Sequence, residues 1–358
     1  MRRLDERLLG DITIGSAVLG SGGGGDPYIG MLLARAAIRE SGPVPLVSLA
    51  ELPDDARVAF VAAVGAPGVL IEKIPRAEDA VAALDMLERH LGYSFTHIAP
   101  IEAGGLNAVT PIAPAAHKGI PIVDADGMGR AFPTLDLVTP SLYGGSATPM
   151  ALADEHGNRM VLETRTNLWS EVIGRAATVA SGCIQFFASY PMTGVQAREW
   201  LVDAPLTRAA RLGALIRTAR AEHSSPVEAI IEEEDGVRLI EGKIASVERR
   251  TERGWTMGEA VVHGTGPDLG RTMRLLFQNE YLVALRDENV IASTPDIIMT
   301  LEAETGEPIP AEEIRYGFRV AAVALPGDER WRSPAGIELS GPRRFGYDFD
   351  YAPVEALV

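Results

Sequence analysis

Short apolar runs alternate with helical patterns over the first third of the chain, and this alternation constrains the fold more than any other feature. The runs ITIGSAVLG, VAFVAAVG, FTHIAPIEAGG and IPIVDADGMG have the composition of buried strands. Between them, PYIGMLLARAAIRESG and AEDAVAALDMLERHLG have the apolar spacing of amphipathic helices, ended by Gly42 and Gly92. Repetition of strand, loop and helix predicts a mostly parallel sheet flanked by helices.

The pattern changes after about residue 145. TPMALADEHGNRMVLET places two apolar runs around HGN, which predicts a hairpin. Helical stretches follow at about 167–181 and 206–222, and from about residue 236 strands and turns dominate. We therefore predict an α/β fold of two domains, with an α/β domain over residues 1–165 and a second, β-rich (α+β) domain over 166–358. A chain of 358 residues is long enough for both.

Charge and composition restrict the classes of partner. The formal net charge of −16 argues against nucleic acid and against anionic membrane surfaces, because both require clustered Lys and Arg. The single cysteine, Cys183, excludes an intramolecular disulfide and a Cys-rich zinc site. The opening MRRLDERLLG is not a signal peptide, and no apolar run reaches the length of a membrane span. We expect a cytoplasmic protein that binds a small molecule, and a homo-oligomer remains open.

Four consecutive glycines in LGSGGGGDP indicate that something approaches the backbone closely. The spacing fits the G-x-G-x-x-G of dinucleotide sites, but Asp26 and Pro27 follow at once as helix N-cap and first helical residue, and a carboxylate there repels a pyrophosphate. No Walker loop is present, so we expect no nucleotide. A turn without a ligand and a loop that binds a small polar molecule both remain open. In the second case the binding residues are Ser21, Gly22, Gly23 and Gly24.

Polar residues end several neighbouring predicted strands. IEAGGLNA supplies Glu102 and Asn107, and VDADGMGRAFP supplies Asp124, Asp126 and Arg130. Loops at the carboxyl ends of parallel strands converge on one crevice, so these side chains are the candidate site, although each one alone could cap a turn or a helix.

The same segments carry a resemblance to a known family. LGSGGGGDP, IEAGGLNA, DADGMGRAFP, FQNEYLVA, STPDIIMTLEAETGEPI and IRYGFRVAAVALP together resemble the S-methyl thiohydantoin desulfurase family, many of whose members accompany or are fused to hydantoinase and oxoprolinase proteins. The resemblance extends from about residue 8 to about residue 335. It implies an N-terminal α/β domain, a β-rich C-terminal domain and hydrolysis of an S-methylated thiohydantoin to hydantoin and methanethiol.

Such a hydrolysis requires an activated water, a proton donor and groups that hold the ring. Glu102, Asp124 and Asp126 are the candidate catalytic acids. Asn107, Arg130 and the glycine-loop amides are the candidate ring or carboxylate binders. The same acids could instead hold a divalent metal, so the cofactor stays unknown.

Further residues have no assigned role. Cys183 is an alternative nucleophile, and Lys243 could reach the cleft from the second domain. The others are the histidines His97, His117 and His263 and the polar run FQNE at 277–280. The competing function is a non-catalytic subunit or small-molecule-binding partner of a hydantoinase-type or oxoprolinase-type enzyme. Convergence of Glu102, Asp124 and Asp126 in one cleft would favour the enzyme.

Overall fold

The computed structural model describes residues 2–66, 69, 73, 75–252 and 255–357. Two large sheets dominate the described part of the chain, and helices cover the first of them. The helices are α1 (Glu6–Leu19), α2 (Pro27–Ser41), α3 (Ala77–Leu91), α4 (Ile112–Lys118), α5 (Thr139–Leu142), α6 (Asn167–Ala180), α7 (Gly194–Trp200), α8 (Pro205–Ala221), α9 (Pro226–Glu233), α10 (Glu329–Arg332) and α11 (Pro334–Ser340).

The first sheet has eight described strands in the order β1-β2-β5-β4-β3-β9-β7-β8. They are β1 (Arg2–Leu4), β2 (Val44–Val47), β3 (Arg57–Gly65), β4 (His97–Ala99), β5 (Ile122–Val123), β7 (Met150–Ala153), β8 (Arg159–Leu162) and β9 (Ile184–Thr193). The neighbours β2, β5, β4 and β3 run parallel, and the other pairs are antiparallel. The α/β class is confirmed, and the sheet is mixed, with its parallel strands at the centre. The hairpin around HGN is the β7–β8 pair.

The prediction of a strand over ITIGSAVLG is wrong, because these residues belong to helix α1. Asp5 caps this helix by accepting a hydrogen bond from the Leu8 amide at 2.8 Å. Helix α1 packs closely on α8, where a Cβ on Gly15 would lie 1.8 Å from the Ala209 carbonyl oxygen and a Cβ on Gly213 would lie 1.9 Å from the Asp11 oxygen. The apolar residues of the segment therefore face a helix that lies far away in sequence. The glycine loop joins two helices, and Asp26 and Pro27 begin α2 as the sequence predicts.

The second sheet is antiparallel throughout, in the order β15-β14-β13-β12-β11-β18-β16-β17. Its strands are β11 (Val237–Glu252), β12 (Trp255–Gly264), β13 (Thr272–Gln278), β14 (Glu280–Arg286), β15 (Asn289–Ser293), β16 (Ile297–Glu302), β17 (Pro308–Ile309) and β18 (Arg319–Leu325). A two-stranded ribbon, β6 (Ala125–Asp126) with β10 (Val202–Asp203), completes the described sheets. The β-rich second half is thus confirmed.

The two halves of the chain are interwoven in space. Strand β9 follows residue 165 in sequence but lies between β3 and β7 of the first sheet. Ser21 Oγ donates to the Ile298 carbonyl at 2.9 Å and accepts from the Ile298 amide at 3.1 Å. These contacts fix the glycine loop against the second sheet. The division at residue 165 stays a prediction.

Candidate active site

A cleft lies where the glycine loop, the β4–α4 loop and the β13–β14 turn meet. It holds a cavity of about 100 Å³ that opens to solvent. Its acidic and polar lining comes from both sheets, and its apolar lining comes largely from the first. Its lining includes Gly22, Gly23, Gly24, Glu102, Asn107, Phe132, Glu171, Arg175, Phe187, Asn279, Glu280 and Glu312.

Glu102 reaches the cleft from the loop after β4, and Asn107 orients it. The Asn107 side-chain amide accepts from the Ala63 amide at 2.8 Å and donates to the Ala63 carbonyl at 3.2 Å, so it is tied to the end of β3. Asn107 Nδ2 also donates to Glu102 Oε1 at 2.7 Å. Glu102 Oε2 is buried and has no hydrogen-bond partner among the described residues. One oxygen of Glu102 is therefore held, and the other is left for a ligand or for a proton.

Burial raises the pKa of Glu102 well above its ordinary value. The hydrogen bond from Asn107 opposes this rise, and the charges of Glu280 and Asp126 add to it. Burial of this kind favours the protonated form of a carboxyl. Glu102 is therefore a candidate general acid.

Glu280 enters the cleft from the second sheet, just after the β13–β14 turn. Its Oε1 accepts from the Gly24 amide at 3.1 Å, whereas its Oε2 is buried and unpartnered within the described part of the chain. Burial raises the pKa of Glu280 to about 7, and the Arg130 charge opposes that rise. The sequence analysis left the role of FQNE open, and the structure places Glu280 of that run in the cleft wall.

The glycine loop packs too tightly for side chains. A Cβ on Gly22 would lie 2.3 Å from the Tyr281 ring, and one on Gly24 would lie 2.6 Å from the Gly104 carbonyl oxygen. Gly24 also has φ of +72°, which disfavours a side chain. These glycines line the cleft, whereas Ser21 is buried against Ile298 and does not line it.

Asp124 is not brought to the cleft. Its Oδ1 accepts from the Leu206 amide at 2.9 Å and the Thr207 amide at 3.2 Å, and its Oδ2 accepts from Thr207 Oγ1. It therefore holds the first turn of α8, and burial raises its pKa. The expectation that Asp124 converges with Glu102 is not met, because Asp124 binds Thr207, which lies 83 residues further along the chain.

Asp126 lies behind the cleft wall. Its carboxylate accepts from the amides of Ala103 at 2.5 Å, Met128 at 3.1 Å and Gly129 at 2.8 Å. Burial raises its pKa to about 7 against the lowering effect of these amides. Because Ala103 follows Glu102, Asp126 fixes the loop that carries Glu102 and does not itself line the cleft.

Arg130 is fully buried and joins the two halves. Its Nη1 donates to the carbonyls of Pro295 at 2.8 Å and Asp296 at 2.7 Å, and its guanidinium lies 4.5 Å from the Phe132 ring centre. Burial lowers the pKa of Arg130 to about 10. Arg130 does not line the cleft, and its charge acts there by stabilising ionised Glu280.

Two charged cleft residues on α6, Glu171 and Arg175, are not predicted from the sequence. Glu171 is buried and Arg175 is partly buried, and the two form an i,i+4 ion pair. Glu171 accepts from the Leu135 amide at 3.0 Å, and the Arg175 guanidinium lies 4.9 Å from the Trp255 ring centre. An acid and a base four residues apart are typical of solvent-exposed helices, so their spacing does not indicate that this pair lines a cleft.

The other residues noted in the sequence lie elsewhere. Cys183 lies in the turn between α6 and β9, Lys243 Nζ is 5.9 Å from the Tyr316 ring centre, and His263 is in β12. None of them lines the cleft. Residues 2–66, 69, 73, 75–252 and 255–357 contain no group of three or more His, Cys, Asp or Glu arranged for a metal ion.

No described helix combines the length and the hydropathy needed to cross a membrane. Comparison with curated proteins finds no match. Among solved structures, the chain is similar to an X-ray crystal structure of a protein from Chromobacterium violaceum, a structural genomics target. The two share 25% identity and a TM-score of 0.82, over 99% of this chain and 100% of that one.

Family models match nearly the whole chain. The S-Me-THD-like N-terminal domain matches residues 7–164, and the S-Me-THD-like C-terminal domain matches residues 165–354. These matches confirm the resemblance drawn from the glycine loop and the strand-end motifs. The chain belongs to the S-Me-THD-like family.

Proposed function

We propose that the protein is a hydrolase of hydantoin-like five-membered rings, and most specifically that it converts an S-methyl thiohydantoin to a hydantoin and methanethiol. The observation that carries the proposal is the pair Glu102 and Glu280. Each is buried in the cleft wall, each has one oxygen held by an amide, and each has one buried oxygen without a partner. Two such carboxyls with raised pKa values suit an acid and a base.

The different environments of the pair divide the roles. Burial raises the pKa of both carboxyls, and the Arg130 charge opposes that rise at Glu280 by stabilising its charged form. We therefore assign the proton to Glu102 and the charge to Glu280. Glu280 is the proposed base, and Glu102 is the proposed acid.

The addition step joins water to the ring carbon that carries sulfur. Glu280 takes a proton from water, the water oxygen bonds to that carbon, and Glu102 gives its proton to the ring nitrogen. The collapse step then breaks the carbon–sulfur bond. Glu102 takes the proton of the new hydroxyl as the carbonyl forms, and Glu280 gives its proton to the leaving methanethiolate. Both carboxyls return to their starting states, and one water is consumed for each methanethiol released.

The cleft offers complementary groups for the ring. Phe132 and Phe187 supply apolar walls, and Arg175 supplies a cation at the cleft surface. A guanidinium attracts a ring carbonyl or an anionic substituent. These groups support a small, polar, flat substrate and do not select among hydantoins.

A second candidate, a non-catalytic small-molecule-binding partner of a hydantoinase-type or oxoprolinase-type enzyme, is favoured by one observation. Asp124 and Asp126 accept hydrogen bonds from backbone amides and so lie outside the cleft lining. Of the three predicted acids, Glu102 alone lines the cleft.

One substrate screen distinguishes the two candidates. Hydantoins, thiohydantoins and S-methyl thiohydantoins are incubated with the protein, with and without a chelator, and methanethiol and ring products are measured. Glu102→Gln and Glu280→Gln should each lower turnover by about two to four decades, the size usual for general acid–base groups. Binding without turnover in the wild type would support the non-catalytic partner.

A further inference from the structure

Helix α6 is oriented with its apolar face toward solvent. Its buried residues are small or polar, namely Ser170, Glu171, Gly174 and Thr178. Its exposed residues include large apolar side chains: Leu168 at 50%, Trp169 at 55%, Val172 at 49%, Ile173 at 40% and Val179 at 53% exposure. We call these five residues the α6 face. An amphipathic helix normally buries this side, so the α6 face is a candidate contact surface.

The α6 face carries no charge. The charged residues of the helix are Glu171 and Arg175, which pair with each other and line the cleft on the opposite side. In a chain with a net charge of −16, this face allows two copies to meet without opposing like charges. A helix that lies on a membrane surface instead carries several Lys and Arg along its polar side, whereas Arg175 is the one basic residue of α6 and it pairs with Glu171.

The exposed apolar area of the face is more than half of what each partner buries in a standard interface. With ordinary side-chain areas, the exposed fractions give an apolar patch on the order of 500 Å², against the roughly 800 Å² that each partner buries in a standard interface. The α6 face continues into the turn at 141–145. Asn167 binds this turn by donating to Ser141 Oγ and to the Gly145 carbonyl, and Tyr143 of the turn is also exposed. Two antiparallel copies of one helix can pack such a stripe against itself about a two-fold axis.

We infer that the protein self-associates as a two-fold dimer through the α6 face. The opposite side of the same helix lines the cleft through Glu171 and Arg175, so a second copy would support that cleft wall from outside. This inference does not depend on the reaction proposed above.

Sedimentation velocity over a range of concentrations tests the dimer. The wild type should sediment with twice the chain mass, and Val172→Glu should sediment with one, because the glutamate would be buried at the interface without a partner. Leu269→Glu is the matched control, since Leu269 is 80% exposed in the connection between β12 and β13 of the second sheet. This variant should remain dimeric.

A far-ultraviolet circular dichroism melt checks that Val172→Glu is folded, which we expect because its side chain points to solvent. A wild type with one chain mass at every concentration would overturn the inference, as would a dimeric, folded Val172→Glu. Flotation with phosphatidylcholine and phosphatidylglycerol vesicles is the remaining measurement. Vesicle binding by the wild type that Val172→Glu loses would show that lipid covers the face instead.

Discussion

The carboxylate of Glu280 occupies the space that a side chain at Gly23 would need, since a Cβ there would lie 2.2 Å from Glu280 Oε1. The neighbouring amide of Gly24 donates to the same oxygen. The glycine loop and Glu280 thus pack against each other between the two sheets, so a substitution in the loop should displace the Glu280 carboxylate.

Gly23→Ala should therefore displace the Glu280 carboxylate. We expect turnover or ligand affinity to fall at least tenfold, because the displaced group is a flexible side chain and the backbone can stay in place. Gly10→Ala in α1 is the control, since a Cβ there meets nothing within 4 Å. It should leave activity unchanged and raise the free energy of unfolding by about 0.5–1 kcal/mol. Equal activity in Gly23→Ala and the wild type would contradict the proposed role of Glu280.

Asp126→Asn should destabilise the fold as well as lower activity. Both carboxylate oxygens accept backbone amides, and an asparagine would turn an NH₂ group toward one of these donors. Leaving buried partners unpaired costs about 1–3 kcal/mol each, which urea unfolding can measure. A stable Asp126→Asn protein without activity would instead indicate a direct catalytic role.

Asp124→Asn should keep its activity. Asparagine caps a helix about as well as aspartate, so the start of α8 should lose well under about 1 kcal/mol, and the cleft is not touched. Kinetics of this variant beside Glu102→Gln provide the comparison. A loss of turnover as large as that of Glu102→Gln would show that Asp124 takes part in catalysis.

Stability should fall as pH rises toward 7, in part because of Glu280. Its pKa is about 7 in the folded chain against 4.5 as its ordinary value, so the folded state binds more protons between these values. The free energy of unfolding then decreases as pH rises through this window, and the full penalty remains above it. Glu280→Gln should flatten this part of the curve in urea unfolding at several pH values. An unchanged slope would show that Glu280 does not titrate in this window.

Arg175→Gln should move the pH–rate profile to higher pH. The Arg175 charge lowers the pKa of Glu280, so its removal raises that pKa further, and ionised base appears only at higher pH. Glu171→Gln breaks the same ion pair without removing the cation, and it should not shift the ascending limb upward. Overlapping limbs in Arg175→Gln and the wild type would argue against Glu280 as the base.

Sequence patterns predicted those elements whose signals are local. The hairpin around Gly157, the end of α3 at Gly92 and the start of α2 at Asp26 all depend on residues within a few positions. The apolar run in helix α1 resembles a strand because its apolar residues pack against α8, a partner that is distant in sequence. The two helices approach closely at Gly15 and Gly213.

The cleft could be predicted only in part. Glu102 and Asn107 share one loop, so a strand-end rule finds them together. Asp124 also follows the end of a strand, but its carboxylate accepts a hydrogen bond from the Thr207 amide and does not line the cleft. Glu280 and Arg175 reach the cleft from elements whose placement depends on the packing of both sheets, which local spacing does not encode.

Strand β9 lies between β3 and β7, although it follows the boundary at which the two family models meet. A polypeptide cut at that boundary would leave the first sheet with an internal gap and its remaining strands unpaired along both edges. The ribosome must therefore complete β9 before the first sheet can close.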